Sequence, residues 1–156
     1  MLRTDTQNVL ERVTALQNHT KELEKALNSA KQKLASQQGA DMLSNVVEIN
    51  GVKVLVANLE GVEAKSLRSM MDDIKNRIGE GVVVLGVADD KKVNLIAGVT
   101  KNLTAKIKAG ELVNFVASQV GGKGGGRPDM AQAGGDKPES LVSALDSVNA
   151  WLQDKL

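Results

Sequence analysis

At 156 residues, 42% hydrophobic and 25% charged, the chain is long enough for a globular domain with a real core plus an extension. Zero cysteines exclude a disulfide framework and thiolate metal sites, and a single histidine, His19, starves both a His-cluster metal centre and a Ser-His-Asp triad, so no catalytic residue or metal ligand is assigned. No apolar run approaches the roughly 20 residues of a membrane span and no signal-peptide pattern opens the chain, so a cytoplasmic location without membrane contact is expected.

Phe115 and Trp151 are the whole aromatic complement, which leaves little on which to stack single-stranded bases. The net charge of +1 hides an uneven distribution: residues 101–137 carry six Lys or Arg against three acids, a modest electrostatic footprint for an anionic partner.

In chain order, Leu2, Thr6, Val9, Val13, Leu16, Thr20, Leu23, Leu27, Ala30 and Leu34 alternate in spacing between four and three. That period keeps one stripe facing a partner helix, as in a coiled coil, and predicts a long helical subdomain over residues 1–38. Such a helix needs a partner: its own globular part, another copy, or the remainder of a larger protein. The strict seam, narrower than the stripe of an ordinary surface helix, favours the second and third, with Val9, Val13, Leu16, Leu23, Leu27 and Leu34 as oligomerisation positions. His19 falls on the flank of the seam and reads as a solvated surface residue. Periodicity begins essentially at Met1 without a cap, as it would in the middle of a longer helix. Ser36 to Asp41, with Gly39 inside it, is expected to end the helix and open a globular subdomain over residues 39–156.

From Val46 the period becomes two. Val46 to Ile49 and Val52 to Leu59 flank Asn50-Gly51, a strong hairpin signal. Leu67, Met70, Met71, Ile74 and Ile78 then share a helical face that ends at Gly79 and Gly81. Val82 to Ala88 and Val93 to Val99 are nearly continuous apolar runs across Asp89 to Lys92, so helices are expected on both faces of the sheet. Leu112, Val113, Val116, Ala117 and Val120 mark a helix stopping at Gly121. Asp136 and Glu139 around Pro138 read as a capping box for a last helix bearing Leu141, Leu145, Val148, Leu152 and Leu156. The expected fold is α+β or α/β: a mixed sheet of at least four strands, built from two hairpins, covered by helices and preceded by the long coiled-coil-like helix.

Between the last two helices lies GGKGGGRPDMAQAGG, Gly121 to Gly135, which holds nearly half of the chain's 15 glycines. A Walker A loop fails here, because Ala117 stands where its first glycine belongs and Gly124 where its hydroxyl belongs. No register gives the dinucleotide fingerprint, and the stretch follows a helix, not a strand. Arg127, Pro128 and Asp129 interrupt it too firmly for a linker. A glycine-rich loop presenting backbone N–H groups beside Lys123 and Arg127 remains, a surface suited to phosphate.

This stretch, with the helix and hairpins before it and the short helix after it, resembles the C-terminal domain of bacterial alanyl-tRNA synthetase, whose globular part is a DHH-associated domain. Related domains in DHH-type phosphoesterases carry a histidine where this chain has Arg127, which argues against that role. The resemblance implies a non-catalytic tRNA-binding and assembly module of an ATP-dependent alanine-tRNA ligase, engaging the outer corner of tRNA(Ala) and helping the aminoacylation and editing domains cooperate. It implies no cofactor here, with ATP and zinc confined to the parent's other domains, and as partners tRNA(Ala), those domains, and a second copy through the N-terminal helix.

On that reading Gly121, Gly122, Lys123, Gly124, Gly125, Gly126 and Arg127 approach the RNA backbone, Lys101, Lys106 and Lys108 add longer-range attraction, and Asp129 and Gln132 pin the loop. A structural salt bridge from Arg127 to Asp129 or a helix end, and a plain solvated surface for the three earlier lysines, stand as alternatives. Two other functions compete: an oligomerisation module without RNA contact, and an accessory nucleic-acid-binding domain of a DHH-type phosphoesterase.

Overall fold

Asn50 and Gly51 turn the chain with φ of 50° and 84°, the two left-handed angles a two-residue hairpin requires, and so join β1 (Val47–Ile49) to β2 (Val52–Leu59). The computed structural model describes residues 2–156, apart from the side chains of residues 2–5, 35, 36, 38 and 39. Met1 and the side chain of seam position Leu2 therefore lie outside the described residues. Helix α2 (Ala64–Ile78) follows, then β3 (Gly81–Ala88), β4 (Val93–Val99), α3 (Ala109–Gln119), β5 (Lys123–Arg127), β6 (Met130–Gly135) and α4 (Leu141–Lys155). Among the described residues six strands form one mixed sheet in the order β1-β2-β3-β4-β6-β5, parallel at β2–β3 and antiparallel elsewhere. The α+β expectation holds, and its two hairpins gain a third.

The apolar runs of β3 and β4 are buried on both faces because helices cover both. Val82 and Val84 join Leu95, Ala97 and Val99 in a core shared with α3 and α4. Alternation sends Val83, Leu85, Val87 and Ile96 to the opposite face, where α2 packs. The closeness of each layer shows at a glycine: a Cβ on Gly98 would lie 2.4 Å from Met71 Sδ of α2, and one on Gly86 would lie 2.9 Å from Leu141 Cδ1 of α4. The buried face of α2 is the predicted set, Leu67, Met70, Met71, Ile74 and Ile78. Each such side chain contributes about 1.5–3 kcal/mol on burial.

Two boundaries differ from expectation. The first helix, α1, runs Leu2–Met42, through Ser36 to Asp41 and Gly39. One glycine inside a long helix costs only about 1 kcal/mol, too little to stop it. Chain contacts divide the molecule into two compact units, Met1–Ser36 and Gln37–Leu156. The second difference is at the last helix, where the Asp136/Glu139 capping box does not form. Pro138 opens a 3-10 turn (Pro138–Ser140) ahead of α4, so Lys137 takes the cap position of the turn and Ser140 that of α4, Asp136 caps neither, and no side-chain cap bond is made.

In the N-terminal unit, residues 6–34 expose every side chain, His19 included. The seam residues are more exposed than apolar side chains of a surface helix usually are: Val9 56%, Val13 45%, Leu16 66%, Leu23 57%, Leu27 55% and Leu34 60%. Thr20 Oγ1 donates to the Leu16 carbonyl oxygen at 2.8 Å, so this polar seam position satisfies its hydroxyl within the helix.

Candidate functional site

The glycine stretch is not a loop. Its residues form the β5–β6 hairpin, with Arg127 opposite Met130 and Pro128-Asp129 as the two-residue turn. β6 pairs with β4, so β5 is the edge strand of the sheet. Glycine disfavours strands in general, and the reason for it here is close packing. A Cβ on Gly124 would lie 2.2 Å from Ala133 Cβ, and one on Gly126 would lie 2.6 Å from Ala131 Cα. All the atoms met belong to β6, so a side chain at either position would force the two strands of the hairpin apart.

The hairpin is held at three places. At its start, α3 ends in a Schellman motif: Gly121 takes φ 73°, and the Gly122 N–H donates to the Ala117 carbonyl oxygen at 2.8 Å. In the middle, the Gly124 N–H donates to Asn114 Oδ1 of α3 at 2.9 Å, which turns that peptide away from β6 and caps the open edge. At the turn, both carbonyls are used. Pro128 O accepts from the Ala109 N–H at 2.9 Å, and Asp129 O accepts from the Val99 N–H at 2.9 Å and from Lys75 Nζ at 3.0 Å. Backbone that glycine would otherwise leave free is thereby fixed by α2, β4 and α3.

Asp129 is tied to the rest of the unit chiefly through its carbonyl; its carboxylate also lies 4.0 Å from Lys75 Nζ. That ammonium takes the place of Arg127, for which a salt bridge to Asp129 was the structural alternative. Gln132 anchors differently from expectation. Its side chain is exposed and makes no hydrogen bond among the described residues, and only its backbone is tied, between Ile96 and Gly125. Lys75→Met should keep the aliphatic stem and lose about 1–2 kcal/mol, most of it from the charged bond to the carbonyl, because the half-exposed ion pair adds little. Urea unfolding checks this, and an unchanged midpoint would mean the turn is held without Lys75.

Lys123, Gly125 and Arg127 alternate onto the face of β5 away from α3, and all three are exposed. Neither Lys123 nor Arg127 makes an ion pair among the described residues. Their Cα atoms are about 13 Å apart along the strand. Lys101 lies two residues after Val99 and Lys108 directly before Ala109, so each of the two backbone N–H donors to the turn carbonyls has an exposed cation close to it in sequence, with exposed Lys106 between Lys101 and Lys108. The turn end gathers Arg127, Lys101 and Lys108, while Lys123 sits at the other end of the strand.

Sequence reading missed Arg68, Asp72 and Lys75 of α2 and Asn114 of α3. Arg68, Asp72, Gly125, Arg127, Asp129 and Gln132 are among the residues lining a groove of about 330 Å³. Arg68 and Asp72 are a turn apart on α2, but only the tertiary fold brings that helix alongside the hairpin. The two aromatics are spent on packing: Phe115 of α3 and Trp151 of α4 stack with ring centroids 5.5 Å apart, and both are half-buried.

A family model described as the DHHA1 domain matches residues 51–154, which takes in strands β2 to β6, with the β5–β6 hairpin, and most of α4. The chain belongs to the DHHA1 family. This DHHA1 chain is 62% identical over 155 residues, 99% of its length, to an alanine-tRNA ligase of Pseudoalteromonas translucida. It is 57% identical over 156 residues to that of Shewanella loihica. It spans 18% of the length of each of these relatives. Among solved structures, the C-Ala domain of Aquifex aeolicus alanyl-tRNA synthetase is similar at 29% identity with a TM-score of 0.65, over 69% of this chain and 97% of that one. A DHH-domain member of the s1p family of ribosomal proteins shares the fold at 12% identity, with a TM-score of 0.51 over 80% of this chain. Among the described residues no helix is long and apolar enough to cross a membrane.

Proposed function

We propose that this DHHA1 chain is the tRNA-binding and assembly module of an alanine-tRNA ligase, that it engages the outer corner of tRNA(Ala), and that it helps the aminoacylation and editing domains cooperate. The observation that carries the reading is the β5–β6 hairpin: an edge strand almost bare of side chains, fixed at its start, middle and turn, with Lys123 and Arg127, neither ion-paired among the described residues, at its ends. Folded RNA offers a rigid array of phosphates and sugars, and a rigid strand of glycines lets backbone approach it closely. The packed Phe115–Trp151 pair supports recognition by shape over base stacking. Similarity to alanine-tRNA ligases over the whole chain supports the choice of tRNA(Ala).

Lys123→Ala combined with Arg127→Ala is expected to weaken tRNA(Ala) binding about tenfold or more. Losing two phosphate contacts should also flatten the slope of log K against log salt by about 1.4–1.8. Filter binding across a salt series reads both, and an unaltered affinity and slope would remove the hairpin from the interface. Footprinting of the tRNA should show protection at the outer corner; protection confined to the acceptor end would overturn that placement.

A second role is favoured by the exposed seam of α1: self-association through Val9, Val13, Leu16, Leu23, Leu27 and Leu34, alongside RNA binding.

A further inference from the structure

Gly125 differs from the glycines on either side of it. A Cβ there would meet nothing within 4 Å, and its φ lies outside the left-handed region. Gly124 and Gly126 are required by contact with β6, but the fold imposes no glycine at 125. Its bare face points to the side of the sheet where α2 packs. Since α2 covers β3 and β4, the outer hairpin on that side is left open, and the groove of about 330 Å³ lies there. This volume is at the lower end of the range of about 300–1,000 Å³ for small-molecule sites, room for one nucleotide-sized unit.

The charges around the groove are selective. Arg127 stands on the hairpin side and Arg68 on the α2 side, and neither has an ion-pair partner among the described residues. Asp129 has Lys75 beside it, which leaves Asp72 as the groove carboxylate without an ion-pair partner among the described residues. Two guanidiniums suit a phosphate, for which their planar donor forks are matched. One carboxylate among them accepts a hydrogen bond from a hydroxyl and repels a second phosphate.

We propose that this groove seats one sugar–phosphate unit of the bound RNA: the phosphate between Arg68 and Arg127, the ribose against bare Gly125, and a ribose hydroxyl donating to Asp72. The assignment rests on the RNA-binding reading above and adds to it a defined seat and two residues, Arg68 and Asp72, from another element.

The test uses the full chain and a tRNA(Ala) transcript. Gly125→Val puts a strand-compatible side chain into open space, so thermal unfolding should be unchanged while tRNA affinity falls at least tenfold. Arg68→Ala, at an exposed helix position, should weaken binding about tenfold and flatten the salt slope by about 0.7–0.9, one phosphate's worth. Asp72→Ala should weaken binding without steepening that slope. Wild-type affinity in both Gly125→Val and Arg68→Ala would overturn the seat, and tighter binding in Asp72→Ala would overturn the ribose contact. If the Lys123/Arg127 double variant still weakens binding while those two do not, the hairpin remains the RNA surface and only the groove is wrong. If none of the variants alters binding, both readings fall. Should Gly125→Val unfold, Arg68→Ala decides alone.

Discussion

Gly122→Ala is expected to destabilise the sheet-bearing unit by about 3–5 kcal/mol, the largest effect of any single-methyl addition to this hairpin. The new Cβ would lie 1.6 Å from the Gly134 carbonyl oxygen, 2.5 Å from its carbon and 2.8 Å from Gly135 Cα. All three are backbone atoms, so no rotamer change relieves the clash, and the strands must part where β5 begins. Parting them also pulls on the Gly122 N–H bond to Ala117 that closes α3. For a unit of this size the midpoint of thermal unfolding should drop by on the order of 10 °C or more. Gly125→Ala is the matched control: with nothing within 4 Å of its Cβ, it should leave the midpoint unchanged or slightly raised, since alanine narrows the unfolded ensemble. Calorimetry of the two variants side by side checks the argument, and equal midpoints would refute it.

The second large effect is expected in the N-terminal unit. Leu23→Asp should weaken self-association by at least a hundredfold. It removes a Leu burial of about 1.5–3 kcal/mol from the seam on each strand and places a carboxylate where a partner helix would desolvate it. The helix is about 60 Å long, and its exposed side chains over residues 6–34 leave tertiary packing in this unit unable to support it. Sedimentation equilibrium at micromolar concentration should give a dimer for the wild-type chain and a monomer for the variant. A wild-type monomer across that range would sink the self-association reading, and a variant that still dimerises would move the interface off this seam.

Much of the fold was legible because it is written in periodicity. The buried set of α2 is the set that spacing picks out, and Asn50-Gly51 announces a turn through backbone freedom alone. The third hairpin was not legible, for a physical reason. Strands are recognised by alternating apolar or β-branched side chains, and KGGGR and MAQAGG have hardly any. They are strands because β4 offers β6 a ladder and α3 closes over the pair, both of them long-range facts. Pro128-Asp129, read as an interruption of a loop, is the turn itself. The same limit applied to the site. Lys123 and Arg127 stand out locally, but Lys75 under the turn, Asn114 on the edge and Arg68 across the groove are separated from the hairpin in sequence and joined to it only through the packing of α2 and α3.

The edge position of β5 also bears on aggregation. An open edge invites another strand to add to the sheet, and proteins usually discourage this with charge, proline or irregular backbone. Here Asn114 already occupies the Gly124 N–H, Gly126 O faces the start of α3 at Gly110, and three glycines in five residues make a poor template for pairing. The backbone can therefore stay accessible to a ligand without recruiting a second sheet. Replacing those glycines with valines would do more than strain the hairpin: it would convert the rim of the molecule into a β-prone ribbon and trade solubility for fibres.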